Sequence, residues 1–198
     1  MIFLFFARIV IAVCVFALFI SVAVNFTRAK QNAEVEKSKK SIVETGTMTM
    51  FFVVFLLALK SNVLLAIPQV EIGRTVMSLI GALIVVVGCA VNILGRFRLG
   101  DNWSNQIKIY KDHTLITTGV YAIVRHPLYA SIIWMFYGAS VTYFNVLAFL
   151  AVTVIFVPFM YYRAKQEEEM LSERFPSYKE YRKKVGMFFP KILGGAEK

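Results

Sequence analysis

"PLYASIIWMFYGASVTYFNVLAFLAVTVIFVPFMYY", Pro127–Tyr162, carries no charged residue, and the way it divides decides the fold. A membrane span needs about 20 apolar residues, within a range of about 17–25, so the run is too long for one. It parts into Pro127–Tyr143 and Asn145–Tyr162, joined at VTYFNVL, and reads as a tight helical hairpin with Asn145 near its tip. One long bent segment is the alternative. The hairpin returns the chain to the side it left, so the segments flanking it, VRHP and YYRAKQEEEM, meet at one end of the molecule.

Three further apolar blocks precede it, Ile2–Phe26, Thr47–Ile67 and Thr75–Leu94. The first begins apolar at Met1, is too long for the about 7–15-residue core of a signal peptide and lacks its small-residue cleavage site, so it reads as a retained helix. Hydrophobic residues make up 58% of the 198 and charged ones 17%, where soluble domains average about 25% charged. The expected fold is all-α: an integral membrane bundle of five transmembrane helices, a cytoplasmic cofactor pocket and a short interfacial C-terminal helix.

The linkers orient it. TRAKQNAEVEKSKKSIVE carries Arg28, Lys30, Lys37, Lys39 and Lys40, and PQVEIGR carries Arg74 alone. Gly95–Arg125 is again basic, the hairpin tip has no cation, and the tail from Arg163 is rich in Lys and Arg. Positive-inside then places the N-terminus outside and the C-terminus in the cytoplasm. The compartment would be the endoplasmic reticulum in a eukaryote and the cell membrane in a prokaryote. The net charge of +10 lies between apolar blocks, which fits an anionic bilayer surface and not nucleic acid. Cys14 and Cys89 sit inside apolar blocks with no Cys-x-x-Cys or His cluster, which speaks against a disulfide framework or a metal site. Lys60 interrupts the second block near its end, as a snorkelling lysine does. Residues 1–94 form a three-span region, and 95–198 hold both large polar segments, where chemistry is expected.

In VRHPLY, Pro127 suits the first position of a helix, since its missing N–H has no partner there and its φ is preset. His126 falls at the cap, beside free N–H groups that favour an anion. Tyr129 is one turn in, with Tyr121 and Arg125 close upstream. An ordinary helix entry explains the triplet equally well. Beyond the hairpin, Arg163 and Glu167 are four apart and share a helix face. Arg163, at the mouth of an apolar helix, is placed to face a polar cavity. Glu168 and Glu169 read as solvated.

Together, HTLITTGVYAIVRHPLY, the apolar hairpin, RAKQEEEML and FPSYKEYRKKV resemble the isoprenylcysteine carboxyl methyltransferase family, and within it the small prokaryotic five-span members. The resemblance covers about Arg96–Pro190. It implies S-adenosylmethionine as cofactor, S-adenosylhomocysteine as product, and methyl-ester formation on the carboxylate of a prenylated cysteine. It also implies cofactor contacts at His113, Thr114, Leu115, Ile116 and Tyr121, at His126, Pro127, Leu128 and Tyr129, at Gln106 by its spacing before the His-Thr-Leu element, and at Glu167. Arg163 is implied to hold the substrate, and Arg163 and Glu167 are the expected catalytic pair. Eukaryotic members carry additional N-terminal spans, so substrate contacts made there are not inherited.

The residues suit that chemistry. A sulfonium methyl is already activated, and a carboxylate is ionised at neutral pH, its unperturbed pKa being about 3.5–4. Neither a metal nor a general base is needed. An Arg fork aligns a carboxylate in a defined orientation, and Tyr121 and Tyr129 offer faces to adenine or sulfonium. An amine acceptor would need a base, which His126 would supply, so a phospholipid N-methyltransferase is the alternative. A small transporter or structural membrane protein using Lys60 and Arg163 as pathway charges is the reading from another class, but no internal repeat is present. A sterol-type reductase lacks its Arg-His-x-Asn-Tyr wording here. The expected partners are the bilayer and a lipophilic or prenylated-peptide acceptor. In the tail, Phe175, Tyr178, Tyr181 and Val185 recur at helical spacing, which reads as an interfacial helix able to close the pocket and, compatibly, as a surface helix packed on the loop between spans three and four.

Overall fold

The computed structural model describes residues 2–28, 35–39, 45–61, 71–104 and 107–191. Gln106, Lys30 and Lys40, singled out above, fall outside them. Helix α1 spans Ile2–Arg28, α2 Thr45–Lys60 and α3 Glu71–Leu99. The hairpin follows as α4, Pro127–Thr142, and a continuous helical rod made of α5, Val146–Ala151, a π-helical stretch, Val152–Phe156, and α6, Val157–Arg174. The wide π turn stands just before Pro158, which has no N–H to give the preceding turn.

The hairpin tip forms as read. Phe144 takes a positive φ of 51°, and Asn145 caps α5, its side chain accepting from the Ala148 amide at 2.8 Å. The same side chain donates to the Ala58 and Ser61 carbonyls at 2.8 and 3.0 Å. The end of α2 therefore lies beside the tip, and so does the start of α1, where Arg8 stacks over Tyr143. At the opposite end Phe26 meets Trp103 edge-on at 5.2 Å. The long helical segments α1, α2, α3, α4 and the α5–α6 rod alternate in direction.

Ile2–Thr27, Glu71–Asn102 and Val146–Arg174 are long and apolar enough to cross a membrane. Helix α2, at 16 described residues, is about 24 Å long. Large apolar side chains on α1, α2, α3 and α6 face outward, Ile2, Phe3 and Phe5 among them, as lipid contact requires. Lys60 is the exposed last residue of α2. Both cysteines are free, and buried Cys89 donates to the Cys14 carbonyl.

The expectation of an all-helical chain needs one correction, a β ribbon. β1, Val35–Lys39, in the first linker pairs antiparallel with β2, Ile107–Tyr110, after α3, with Val35 opposite Tyr110 and Lys39 opposite Ile107. It holds two distant linkers side by side. Glu36 and Lys37 tie it to α6 through Arg174 and Glu173, each at 2.9 Å.

The bundle is tightest between α3 and α4. A Cβ on Gly81 would stand 2.5 Å from the Gly138 carbonyl oxygen, and one on Gly138 would stand 2.6 Å from that of Gly81. Only glycine permits that backbone approach, and across the seam Thr142 donates to the Ser78 carbonyl.

The tail helix is shorter than the spacing predicts, and the tail packs on the loop between α3 and α4, as one of the two readings expects. α7 is Tyr178–Lys184, and Val185 is already extended. Tyr178 is fully buried. The Arg125 and His126 amides donate to the Gly186 and Met187 carbonyls, and Tyr181 donates to the Tyr121 carbonyl. The tail braces residues 121–126 from behind. No α7 residue lines the central cavity, so α7 does not close it in the way expected.

Candidate active site

The cavity has a volume of about 520 Å³, within the range of small-molecule sites. One part is an apolar groove walled by Ile11, Val15, Phe19, Phe52, Phe55 and Phe136. The other is a polar chamber at the ribbon end, with Arg96, Trp103, Tyr121, Arg163 and Glu167 on its walls. His113, Thr114, Leu115, Ile116, His126, Pro127, Leu128 and Tyr129 also line it, so every residue implied above that the structure describes borders this one space.

Chain geometry explains the convergence. Pro127 begins α4 with His126 at the cap, and the alternating segments carry α6 back to the same end. Tyr129 then stands between the two α6 residues. Arg163 Nε donates to the Tyr129 hydroxyl at 3.0 Å, and that hydroxyl donates to Glu167 Oε2 at 2.9 Å. The spacing predicts a shared face for Arg163 and Glu167, and they have one; it carries no signal of the hydroxyl that bridges them. Arg163 is buried and Glu167 half-buried. His126 stacks on Tyr129, rings 5.5 Å apart and 12° from parallel.

Glu168 corrects the sequence reading. Instead of being solvated, it is 2% exposed. Its Oε1 accepts from Arg125 Nε at 2.9 Å and lies 2.8 Å from Arg125 Nη2 and 3.2 Å from His126 Nε2. The tail covers the face of α6 that would otherwise meet water, with Arg182 Nε 3.6 Å from Oε2. Consecutive helical residues point about 100° apart, so Glu167 and Glu168 approach His126 from two sides; Nδ1 is 3.7 Å from Glu167. Glu169 is exposed, as expected.

The His113–Ile116 segment is held by Asn102, which the sequence did not single out. Its amide donates to Thr114 Oγ1 at 3.0 Å, and its carbonyl oxygen accepts from the Thr114 amide at 3.2 Å. Burial pushes the His113 pKa down, against the opposing charges of Glu167 and Asp112. The ring is therefore neutral at pH 7, with a buried Nδ1 that has no partner among the described residues. Burial, then the charge of Glu167, raises the Tyr121 hydroxyl pKa, keeping it a proton donor.

Known proteins resemble the chain over this region. The sequence profile of the isoprenylcysteine carboxyl methyltransferase (ICMT) family matches residues 79–173, which hold the whole hairpin and both flanking motifs. Over that region the chain is similar to the isoprenylcysteine carboxyl methyltransferase family. It is 30% identical over 131 residues to the protein-S-isoprenylcysteine O-methyltransferase of Saccharomyces cerevisiae, covering 65% of this chain and 55% of the yeast one. It is 32% identical over 123 residues to the human enzyme of that name, covering 61% and 43%. A solved structure of a eukaryotic intramembrane Ras methyltransferase, itself an ICMT, superposes with a TM-score of 0.60 at 25% identity, over 77% of this chain and 55% of that one. The chain thus spans about half the length of these ICMT relatives. With helices of spanning length and the fold of an intramembrane enzyme, it is an integral membrane protein.

Proposed function

We propose that this protein is an integral membrane methyltransferase. In this reading it carries a methyl group from S-adenosylmethionine to the carboxylate of a lipophilic acceptor of the prenylcysteine kind. The observation that carries the reading is the Arg163–Tyr129–Glu167 bridge, placed where the polar chamber opens into the apolar groove. The apolar lining of the groove suits a lipid tail, and the polar lining of the chamber suits an amphiphilic donor.

The residues present suit the donor. Glu167 supplies a carboxylate for a cationic group, and Tyr121, Tyr129 and Trp103 supply aromatic faces. Unpaired buried polar atoms at His113 Nδ1 and Arg96 Nη1 are left for a ligand to satisfy. When bound, the donor supplies an activated methyl group. Arg163 aligns the acceptor carboxylate for in-line attack, Tyr129 holds the Arg163 guanidinium and the Glu167 carboxylate in register, and the chamber excludes water. No proton has to be removed from a carboxylate. Both His126 ring nitrogens face carboxylates, so His126 is poorly placed as a base for an amine, which favours the carboxylate acceptor over the phospholipid one.

We further propose five membrane passes with the ribbon end in the cytoplasm. Lys37, Lys108, Lys111, Arg182, Lys183 and Lys184 gather at that end, against Arg8, Lys60 and Arg74 at the other, and basic ends stay inside. The test is purified full-length protein titrated with S-adenosylhomocysteine, then supplied with labelled donor and either a prenylated cysteine or phosphatidylethanolamine. The expected results are saturable binding and a base-labile methyl ester on the prenylcysteine. Absence of binding at millimolar ligand, or label on the amine alone, would overturn the reading.

A further inference from the structure

The end of α3 carries two arginines two residues apart, and they behave oppositely. Arg98 is exposed and runs along the surface, with Nε and Nη2 on Thr118 Oγ1 at 3.0 and 2.6 Å. It does what a cation at the end of a spanning helix is expected to do. Arg96 turns inward. It is 7% exposed and lines the chamber.

Its orientation is built. Nε donates to Asn92 Oδ1 at 2.8 Å. Asn92 is itself fully buried, and its amide donates to Ser131 Oγ at 2.8 Å and to the Leu128 carbonyl at 3.2 Å. This chain of polar groups crosses the α3–α4 seam next to Pro127 and Tyr129. Beyond the Trp103 ring, 5.8 Å from its Cζ, the guanidinium has no carboxylate within ion-pair reach among the described residues, and Nη1 has no hydrogen-bond partner. A buried guanidinium without a counter-charge is strongly unfavourable, and its usual resolution is an anion. Asn92 and Ser131 are costly inside apolar helices, and their visible effect is to aim Arg96.

We infer that Arg96 is a carboxylate-binding residue of the chamber. Resting on the methyltransferase reading, this leaves two sources for the carboxylate, the amino-acid end of the donor and the acceptor. Where the donor is the source, Arg163 and Arg96 are two forks for the two carboxylates that the reaction brings together.

The test uses the full-length protein in detergent micelles, wild type and Arg96→Met, with S-adenosylhomocysteine and its decarboxylated analogue as probes and binding read by calorimetry. Arg96→Lys, which keeps the charge without the fork, replaces the first variant if thermal unfolding shows that Arg96→Met has lost its fold. If the donor is the source, Arg96→Met weakens S-adenosylhomocysteine by about tenfold or more, as loss of a charge-assisted bond predicts. Binding of the decarboxylated analogue is unchanged. If the acceptor is the source, donor affinity holds and KM for a prenylated cysteine rises by a similar factor. A folded variant with both quantities unchanged overturns the inference and leaves the methyltransferase reading standing. A wild-type protein that does not bind S-adenosylhomocysteine overturns that reading and the inference with it.

Discussion

The wall that α4 shares with α3 and the wall formed by α1 and α2 enclose one cavity by opposite means. The first is fixed by backbone contact and buried hydrogen bonds: glycine against glycine at Gly81 and Gly138, Thr142 onto Ser78, and Asn92 onto Leu128 and Ser131. The second is closed by rings. Phe19 meets Phe52 at 5.7 Å, Phe52 meets Phe136 at 6.4 Å, and Phe51 stacks on Phe156 at 4.7 Å. Hydrogen bonds and backbone contact specify position, whereas apolar packing accommodates shape. Arg96 and Tyr129 are mounted on the rigid wall, Arg163 and Glu167 meet Tyr129 from α6, and the adjustable wall faces the side where an acceptor's lipid tail would lie.

Substitutions on each wall should therefore fail differently. The largest effect is expected behind the rigid wall. Glu168→Gln leaves Arg125 buried without its counter-charge, a loss of about 3–5 kcal/mol, and thermal unfolding in micelles should show it directly. Gly138→Val forces α3 and α4 apart, destabilises by about 1–3 kcal/mol, and should weaken donor binding, since Tyr129 and Leu128 move with α4. Phe52→Ala, on the adjustable wall, should raise KM for a prenylated acceptor about several-fold through lost apolar contact and leave donor affinity intact. Lys37→Ala, which removes an exposed ribbon pair with side chains 45% and 62% accessible, should change stability by about 0–1 kcal/mol, less in high salt. If Phe52→Ala weakened donor binding as much as Gly138→Val does, the contrast between the walls would be wrong.

What the sequence could show follows from the range of the interactions. The hairpin, its Asn145 tip, the Pro127 start and the shared face of Arg163 and Glu167 are local, written within a turn or two of helix. The ribbon is not: Val35–Lys39 is a charged stretch whose strand character comes from pairing with Ile107–Tyr110, far along the chain. Glu168 reads as solvated because helical spacing shows which face a residue shares and not what covers it, and the cover comes from Arg125 and the tail. Arg96 reads as one more loop cation for the same reason. The Asn92–Arg96 spacing of four is a readable signal, as it places a buried amide directly under the guanidinium.

The central claim is that the two ends of the Tyr129 bridge serve different partners. Donor affinity and turnover measured side by side for Arg163→Ala and Glu167→Gln test it most directly. Arg163→Ala should lower turnover on the prenylated acceptor by about ten- to a hundredfold, the worth of a charge-assisted carboxylate contact, while S-adenosylhomocysteine binds almost as before. Arg163→Lys should restore only part of the loss, because an ammonium does not reproduce the planar fork. Glu167→Gln should weaken S-adenosylhomocysteine first. Equal, small changes in both quantities for both variants would contradict the assignment and leave the bridge a structural contact alone.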